Sequence, residues 1–363
     1  MAYKISLIPG DGIGPEVTEA AKVCLKSLGV PIEWEICLAG ESALEDRGSL
    51  LPEDTLESIK RNKVALKGPI TTPVGRGFRS INVELRKKLD LFCCLRPAKD
   101  IGVINTVHKN VDIVICRENT EDLYAGVEFD LGDKFIKDIQ KAAESSGAKG
   151  VIREDTAVSI KAISRFRSER IIRFAFEYAL ANNRKKVTCV HKANILKYTD
   201  GLFLKVFNAV AQDYQGKVDF DDFIIDNLSM QLVLRPERFD VLVLPNLYGD
   251  IISDLCAGLV GGLGVAAGAN IGENIAVFEP VHGSAPKYAG KNKVNPTATI
   301  LSAALMLRYL KETEAAEKLE KAVQDVIKEG ISVTYDLLPA DKRDKAASTM
   351  QMAQAIAAKI KNY

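Results

Sequence analysis

The sequence is poor in the residues from which zinc centres and disulfide frameworks are built. Its 363 residues include three histidines, at positions 108, 191 and 282, and none has metal-ligand spacing to another. The seven cysteines are odd in number and scattered, with no CxxC pair. A disulfide scaffold and a zinc site are therefore disfavoured, and the pattern is typical of a reduced, cytoplasmic chain.

The sequence also lacks an excess of charge of either sign. Lysine and arginine total 49 and aspartate and glutamate 48, so no global field favours nucleic acid or an anionic membrane as a partner. No apolar run reaches the ~20 residues of a membrane span, and no targeting segment is evident before the strand-like residues that start at position 5. The length and the 47% hydrophobic content predict about two domains with large cores.

The glycine-rich stretch "PGDGIGPE", residues 9 to 16, lacks the third glycine of a dinucleotide-binding fingerprint. Gly10, Gly12 and Gly14 have the spacing G-x-G-x-G rather than G-x-G-x-x-G. Pro15 suits the first turn of a helix, but the carboxylate of Glu16 would repel a pyrophosphate at that end. A phosphate cradle and a tight strand-to-helix turn near another site both remain open.

Short β-branched runs alternate with amphipathic segments along the chain, and this predicts an α/β protein with a largely parallel sheet. The strand-like runs are "YKISLI", "KVALKG", "VDIVICRE", "KVTCVHKAN", "FDDFIID" and "FDVLVLPN". Helices are predicted at 15–28, 52–61, 165–182, 199–214 and 298–329, the last ending at Gly330. A lysine-rich stretch at 132–149 breaks this rhythm and indicates an insertion or arm. Without a long linker, the chain is expected to cross between domains more than once.

Acidic residues lie next to two of the predicted strands. In "PNLYGDIISDL" a strand is expected to end at Asn246, with a glycine turn and a helix after it. Asp250 and Asp254 then share one helical face. Asp226 is expected at the end of the strand in "FIIDN". These acids are either partners of a helix dipole or ligands of a hard cation such as Mg²⁺ or Mn²⁺.

Basic and polar side chains gather in "FRSINVELRKKLDLFCCLRP" and "CRENTEDLYAG". Arg96 and Arg117 are expected at strand ends, where ligands of open α/β sheets collect. Because guanidinium groups bind carboxylates, the set predicts a small polyanionic substrate, although each arginine alone is commonly a surface residue. The set comprises Ser80, Asn82, Arg86, Arg96, Arg117, Tyr124 and Lys192.

These motifs together resemble the β-decarboxylating dehydrogenases, the family of isocitrate, 3-isopropylmalate and homoisocitrate dehydrogenases. The resemblance runs from "IPGDGIGPE" through "VHKANI" and "GGLGVAAGANIG" to "HGSAPKYAGKNKVNPTA". It implies the isopropylmalate dehydrogenase-like fold, an α/β fold that is not a Rossmann fold, with a structural turn at 9–16. It further implies a large domain (1–92 and 262–363), a small domain (93–124 and 159–261) and a clasp-like arm (125–158).

The same resemblance assigns roles to individual residues. Asp226, Asp250 and Asp254 would hold Mg²⁺ or Mn²⁺; Tyr124, Lys192 and Asp226 would be catalytic, with Asn194 in the substrate set. Lys192 and Asp226 would reach the partner's site, which implies a homodimer with composite sites. The implied cofactor-binding residues are Thr72, Arg235, His282, Gly283, Ser284, Ala285, Lys287, Tyr288, Val294, Asn295 and Tyr335.

The S-x-N-x-x-x-R pattern of Ser80, Asn82 and Arg86 resembles that of isocitrate dehydrogenases, which read the extra carboxylate of isocitrate. Oxidative decarboxylation of isocitrate to 2-oxoglutarate and CO₂ is therefore the expected reaction. Homoisocitrate or 3-isopropylmalate oxidation with NAD is one alternative, and a non-catalytic regulatory role in an isocitrate dehydrogenase complex is the other.

The expected cofactor is NADP. Lys287 stands where NAD-dependent members carry an aspartate, and Tyr288, Tyr335 and Arg235 match further phosphate contacts. Pro339 replaces an arginine of the bacterial NADP enzymes, a role open to Lys342 or Arg343. If Lys287 is only a solvated loop charge, NAD is the alternative.

Overall fold

The computed structural model describes residues 2–71, 80–102, 106–148 and 150–363, and the main element within them is a ten-stranded mixed sheet. Its strand order is β2-β1-β3-β12-β11-β4-β5-β10-β8-β9, and a two-stranded sheet pairs β6 with β7. The strands are β1 Tyr3–Ile8, β2 Ile32–Ile36, β3 Val64–Lys67, β4 Cys93–Lys99, β5 Asp112–Glu118, β6 Glu128–Phe129, β7 Val158–Ser159, β8 Lys186–His191, β9 Asp219–Ile224, β10 Val241–Leu244, β11 Ala267–Ile271 and β12 Ala276–Pro280.

The pairings confirm an α/β fold with a mostly parallel sheet. In the described part of the chain β4 runs antiparallel to β5 and to β11, and β11 runs antiparallel to β12; the other pairs of the large sheet are parallel. Val114 and Cys116 pack into one apolar cluster while Ile113 and Ile115 pack into another, so both faces of the sheet are covered. Side chains alternate between faces along a strand, which explains this division.

Twelve α-helices accompany the sheet in the described ranges. All five predicted helical segments are helical in the structure, the last of them as two helices. The helices are α1 Gly14–Ser27, α2 Glu41–Arg47, α3 Glu53–Asn62, α4 Ile81–Lys88, α5 Phe135–Ser145, α6 Arg165–Ala181, α7 Thr199–Ala211, α8 Ile225–Leu234, α9 Asn246–Leu259, α10 Thr297–Tyr309, α11 Thr313–Glu329 and α12 Thr349–Ile360. None of them combines the length and apolar character that crossing a membrane requires.

The predicted helix at 298–329 is wrong in one respect, because it is two helices. Lys311 adopts a left-handed φ of 67° between α10 and α11, and the chain folds back. The change from apolar to charged composition marks this break: α10 is buried along most of its length, whereas α11 buries one stripe. Gly330 ends α11 at φ 66°, as predicted.

Three local predictions near the site are corrected by the structure. Helix α9 begins at Asn246, directly after Pro245, so Gly249 lies inside the helix rather than in a turn before it. Asp226 lies in the first turn of α8, because β9 already ends at Ile224. Arg96 lies in the middle of β4 rather than at its end.

The stretch at 132–149 contains regular structure that composition did not reveal. Helix α5 occupies residues 135–145, and the short β6–β7 pair lies beside it in sequence. The side chain of Gln140 donates to the carbonyl of Ile152 at 2.9 Å, which ties the helix to the chain that follows.

Candidate active site

Arg117 and Asp250 form the buried centre of the site. Arg117, on β5, is 1% exposed, and its Nε and Nη2 donate to Oδ1 of Asn246 at 3.0 and 2.7 Å. Its Nη1 pairs with Oδ1 of Asp250 on α9. A Cβ at Gly249 would lie 2.5 Å from Cγ of Arg117, so only glycine lets α9 pack this closely on the arginine.

Tyr124 completes this centre and retains its proton. Its hydroxyl donates to Oδ2 of Asp250 at 2.5 Å, and the Arg117 guanidinium lies 4.8 Å from its ring centroid. Burial, together with the bond to the Asp250 carboxylate, raises the pKa of Tyr124. Burial opposes ionisation of Asp250. The charge of Arg117, the hydrogen bond from Tyr124 and the charges of two further arginines together outweigh burial and lower the pKa of that carboxyl. The pair is therefore a protonated phenol beside a carboxylate at neutral pH.

Arg96 brings a second guanidinium to the same face of α9. Its Nη1 donates to Oγ of Ser253 at 2.5 Å and lies 3.4 Å from Oδ1 of Asp254 and 3.5 Å from Oδ1 of Asp250. The two acids share one helical face, as predicted from their spacing. The side chain of Asp254 is 55% exposed and so remains accessible to a ligand.

A cavity of about 140 Å³ opens beside Arg96 and contains two further members of the predicted substrate set, Asn82 and Arg86. Within the described part of the chain, Oδ1 of Asn82 and Nε of Arg86 are buried without a hydrogen-bond partner. Buried polar atoms normally have partners, so these two atoms mark where a polar ligand would bind. Ser80 lies at the start of α4, the helix that carries both residues.

Sequence reasoning missed a buried charge network in the wall of this cavity. Nζ of Lys67 lies 2.5 Å from Glu279, Nη2 of Arg86 lies 3.3 Å from it, and Nδ2 of Asn270 donates to it at 2.7 Å. Burial opposes ionisation of Glu279. The charges of Lys67 and Arg86 and the hydrogen bonds from Lys67 and Asn270 together outweigh burial and lower its pKa to about 2. A signal existed: "VALK" and "AVFEP" each place a charge in an otherwise apolar strand.

Lys192 and Asp226 form a separate pair. Nζ of Lys192 lies 2.6 Å from Oδ1 of Asp226, and this bond lowers the pKa of the carboxyl. Asn194 is exposed nearby in sequence. Among the described residues no hydrogen bond or ion pair joins this pair to Asp250 or Asp254. The described residues also contain no cluster of three potential metal ligands. One chain does not bring the three predicted metal ligands together.

The stretch that contains most of the predicted cofactor residues begins in the cavity wall and continues along the chain beyond it. His282 and Gly283 line the cavity, and burial lowers the pKa of His282. Among the residues that the structure describes, none forms a hydrogen bond with the buried Nε2 of His282. Oγ of Ser284 lies 2.7 Å from Oγ1 of Thr71, and Ala285 adopts a left-handed φ of 38°. Thr72 lies outside the described residues.

A basic and aromatic patch follows from residue 286 onward. Nζ of Lys287 lies 5.1 Å from the ring centroid of Tyr288, and Nζ of Lys293 lies 5.0 Å from that of Tyr335. Burial and a hydrogen bond with Tyr288 raise the pKa of Tyr335, against the charge of Arg343. Lys293 and Arg343 therefore both bring positive charge to the surroundings of Tyr335.

The remaining predicted cofactor residues are placed as follows. Val294 is buried against Ile13 and Val17, and Nδ2 of Asn295 donates to Asp336 at 2.9 Å. Arg235 is exposed at the end of α8.

Comparison with known proteins decides the family. The family model "Isocitrate/isopropylmalate dehydrogenase" matches residues 4–356. The chain belongs to this family, and the predicted resemblance is confirmed. A crystal structure of isocitrate dehydrogenase from Methylococcus capsulatus superposes with a TM-score of 0.89 at 48% identity, covering 99% of this chain and 100% of that one.

Two curated relatives show how the family members near this chain differ. An isocitrate dehydrogenase [NADP] of Archaeoglobus fulgidus is 46% identical, over 92% of this chain and 87% of the relative. A regulatory subunit of the mitochondrial isocitrate dehydrogenase [NAD] of Dictyostelium discoideum is 48% identical, also over 92% and 87%. Similarity alone therefore does not separate NADP from NAD.

Proposed function

We propose that the chain is a metal-dependent isocitrate dehydrogenase that prefers NADP and forms 2-oxoglutarate and CO₂. The observation that carries this proposal is the cavity where Asn82 and Arg86 present unpartnered buried atoms beside Arg96. Three side chains of this kind suit a substrate with several carboxylates. The M. capsulatus and A. fulgidus relatives, both named isocitrate dehydrogenases, support the same activity.

The donor set fits a hard divalent cation, because carboxylate oxygens are the ligands that Mg²⁺ and Mn²⁺ prefer. Asp250 and Asp254 of one chain, with Asp226 of a second chain, would hold it. A bound cation would polarise the substrate hydroxyl and the enolate oxygen, and the bound nicotinamide would accept the hydride.

The chain's own residues bind the substrate and move protons. Asn82 and Arg86 would bind the carboxylate that distinguishes isocitrate, and Arg96 and Arg117 would orient the others. Tyr124 keeps its proton at neutral pH and would donate it to the carbanion left after CO₂ departs. Lys192 would assist this proton transfer from the partner chain.

The alternatives differ in the residues they require. A 3-isopropylmalate enzyme would need an apolar pocket where Asn82 and Arg86 lie, whereas homoisocitrate differs by one methylene, which pockets discriminate by only about 1–3 kcal/mol. The D. discoideum regulatory subunit keeps the non-catalytic alternative open. The complete set of Arg117, Tyr124 and Asp250 in one connected cluster favours catalysis.

We also propose a homodimer with composite sites, supported by the separation of Lys192 and Asp226 from Asp250 within one chain. We likewise propose the domain division inferred from the sequence, with a clasp-like arm at 125–158. The seven cysteines are free and buried, which supports a cytoplasmic location.

The function is tested by a kinetic panel of isocitrate, homoisocitrate and 3-isopropylmalate with NAD and NADP. We expect the highest kcat/KM for isocitrate with NADP.

We also expect EDTA to abolish turnover and Mg²⁺ or Mn²⁺ to restore it. Full activity in a rigorously metal-free preparation would contradict the metal requirement, and no turnover of any substrate would favour the regulatory role.

Exchange of the basic patch for acidic and apolar residues should change the cofactor preference. We expect Lys287→Asp with Tyr288→Ile to shift the ratio of kcat/KM for NADP over NAD toward NAD, because an acidic side chain repels the 2′-phosphate and accepts from a ribose hydroxyl. Lys291→Asp is the matched control, since Lys291 lies 5.8 Å from the same Tyr288 ring and has no assigned phosphate contact. A wild-type ratio that already favours NAD would show that the patch does not select NADP.

A further inference from the structure

The carboxylate of Asp11, within the glycine-rich turn, accepts three backbone N–H groups from two segments of the chain. Asp11 is 7% exposed. Its Oδ2 accepts from the backbone N–H groups of Glu41 and Thr71 at 3.0 and 2.8 Å, and its Oδ1 accepts from that of Ser42 at 3.0 Å. An ionised carboxylate is the side chain suited to this task, because it accepts at both oxygens and donates at neither.

The backbone of the same turn binds two segments that are far apart in sequence. The N–H of Asp11 donates to the carbonyl of Pro69 at 2.8 Å, and the N–H of Ile13 donates to that of Ser284 at 2.9 Å. Gly12 has a φ of +59°, and a Cβ at this position would collide with the carbonyl oxygen of Ser284. Glycine is therefore required both for the conformation and for the close approach.

These two segments both form part of the wall of the cavity. Pro69 and Ile70 line it from one segment, and His282 and Gly283 line it from the other. Their next residues meet directly, since Oγ1 of Thr71 lies 2.7 Å from Oγ of Ser284. The glycine-rich turn therefore binds both segments: Asp11 hydrogen-bonds to Pro69 and Thr71, and Ile13, next to Gly12, hydrogen-bonds to Ser284.

We propose that Asp11 and Gly12 are positioning residues for the nicotinamide cofactor. Asp11 fixes the 69–71 segment, and Gly12 admits the 282–285 segment, so the two segments stand at the spacing that the cofactor requires. The inference rests on the proposed NADP-dependent function, with the cofactor bound by the residues between His282 and Asn295 that the family resemblance assigns to it. The turn thus serves cofactor binding without contacting a phosphate.

The first test is Asp11→Asn. An amide presents two N–H donors where Asp11 accepts three, so at least one bond becomes a repulsion. We expect the dissociation constant for NADP, or for NAD if that is the preferred cofactor, to rise about tenfold or more. Isocitrate binding with Mg²⁺, measured by calorimetry, should change less than about twofold, since its arginines lie on β4, β5 and α4. Hydrogen exchange at the amides of Glu41, Ser42 and Thr71 should accelerate.

Asp100→Asn is the matched control for that variant. Asp100 also accepts two backbone N–H groups, from Gly102 at 2.9 Å and Asn110 at 3.0 Å, but it contributes nothing to the cavity. We expect its cofactor affinity to equal that of the wild type.

The second test, Gly12→Ala, displaces the other segment and does not depend on the Asp11 carboxylate. We expect a similar loss of cofactor affinity. Gly29→Ala is its control, because Gly29 has a comparable φ of +74° with nothing within 4 Å of the added Cβ. The control carries the same kind of backbone strain without the contact.

The outcomes separate the inference from the proposed function. Unchanged cofactor affinity in both variants, with a wild type that binds cofactor normally, would overturn the positioning role alone. Equal losses of cofactor and isocitrate affinity with a lowered melting temperature would also overturn it, in favour of a general structural role. A wild type that binds neither NAD nor NADP would overturn both.

Discussion

A mixture of Lys192→Met chains and Asp250→Asn chains should regain activity that neither variant has alone. Each variant should lose about a thousandfold or more in kcat, because one lacks a proton-transfer group and the other a ligand of the proposed cation. After subunit exchange, half of the dimers are hybrids. Each hybrid has one site with both residues intact and one with neither, so about a quarter of wild-type activity should return.

The structural basis is the separation of the two groups in one chain. Lys192 pairs with Asp226 at 2.6 Å, while Asp250 is bound by Arg117 and Tyr124. A mixture of Asp250→Asn with Asp254→Asn is the matched control. Asp250 and Asp254 of one site come from the same chain in the proposed dimer. Every site in this mixture therefore lacks one of the two carboxylates, and no intact site can form.

Native mass spectrometry decides whether hybrids are present. Hybrids without recovered activity would contradict the composite site.

Because Asp250 partners the buried Arg117, loss of its charge also risks destabilisation. Lys192→Met with Asp254→Asn is a second pair that avoids this risk, since Asp254 is 55% exposed and its contact with Arg96 is 3.4 Å long.

Ser80→Asp should prevent isocitrate binding without weakening the fold. A new carboxylate near the carboxylate-binding side chains of α4 would repel the substrate. Two charges about 4 Å apart in a partly dry cleft interact strongly enough to raise the Michaelis constant for isocitrate about a hundredfold or more. The measurement is kcat and KM for isocitrate at saturating cofactor.

Because Ser80 lies at the start of a helix, the effect of charge repulsion on isocitrate binding can be distinguished from misfolding. Ser80 is the N-cap of α4, and in the described part of the chain its side chain makes no capping hydrogen bond. Aspartate is at least as good an N-cap residue and favours the positive end of the helix dipole. The melting temperature should therefore stay level or rise while KM rises. Ser80→Asn, a neutral N-cap of the same size, should keep most of the substrate affinity; an unchanged KM in Ser80→Asp would place Ser80 outside the pocket.

Local periodicity was enough to predict much of the fold. Helices α1, α3, α6 and α7 begin within a residue of their predicted starts, because apolar spacing and turn residues act over short distances. The shared face of Asp250 and Asp254 follows from helical spacing alone. The break at Lys311 has only an indirect signal in the sequence, the change from apolar to charged residues, because a left-handed φ at a lysine has no local sequence pattern.

Long-range pairing set the limit of prediction at the site. Lys67 and Glu279 lie more than two hundred residues apart, and only the adjacency of β3 and β12 brings them together. The sequence predicts Arg96 at a strand end and the structure has it in the middle of β4, because no local signal reports where a strand stops. Gly249 looked like a turn residue, whereas the structure uses its missing side chain to accommodate Arg117.

The order of strands in the large sheet also constrains how the chain folds as it is made. Strand β3, at residues 64–67, has β1 on one side and β12, at residues 276–280, on the other. Until residue 280 has left the ribosome, the apolar β3 is an unpaired sheet edge, the kind of surface that promotes association between chains. Synthesis at about 5–20 residues per second leaves that edge open for about ten seconds or longer, which makes the nascent chain a natural client for chaperones.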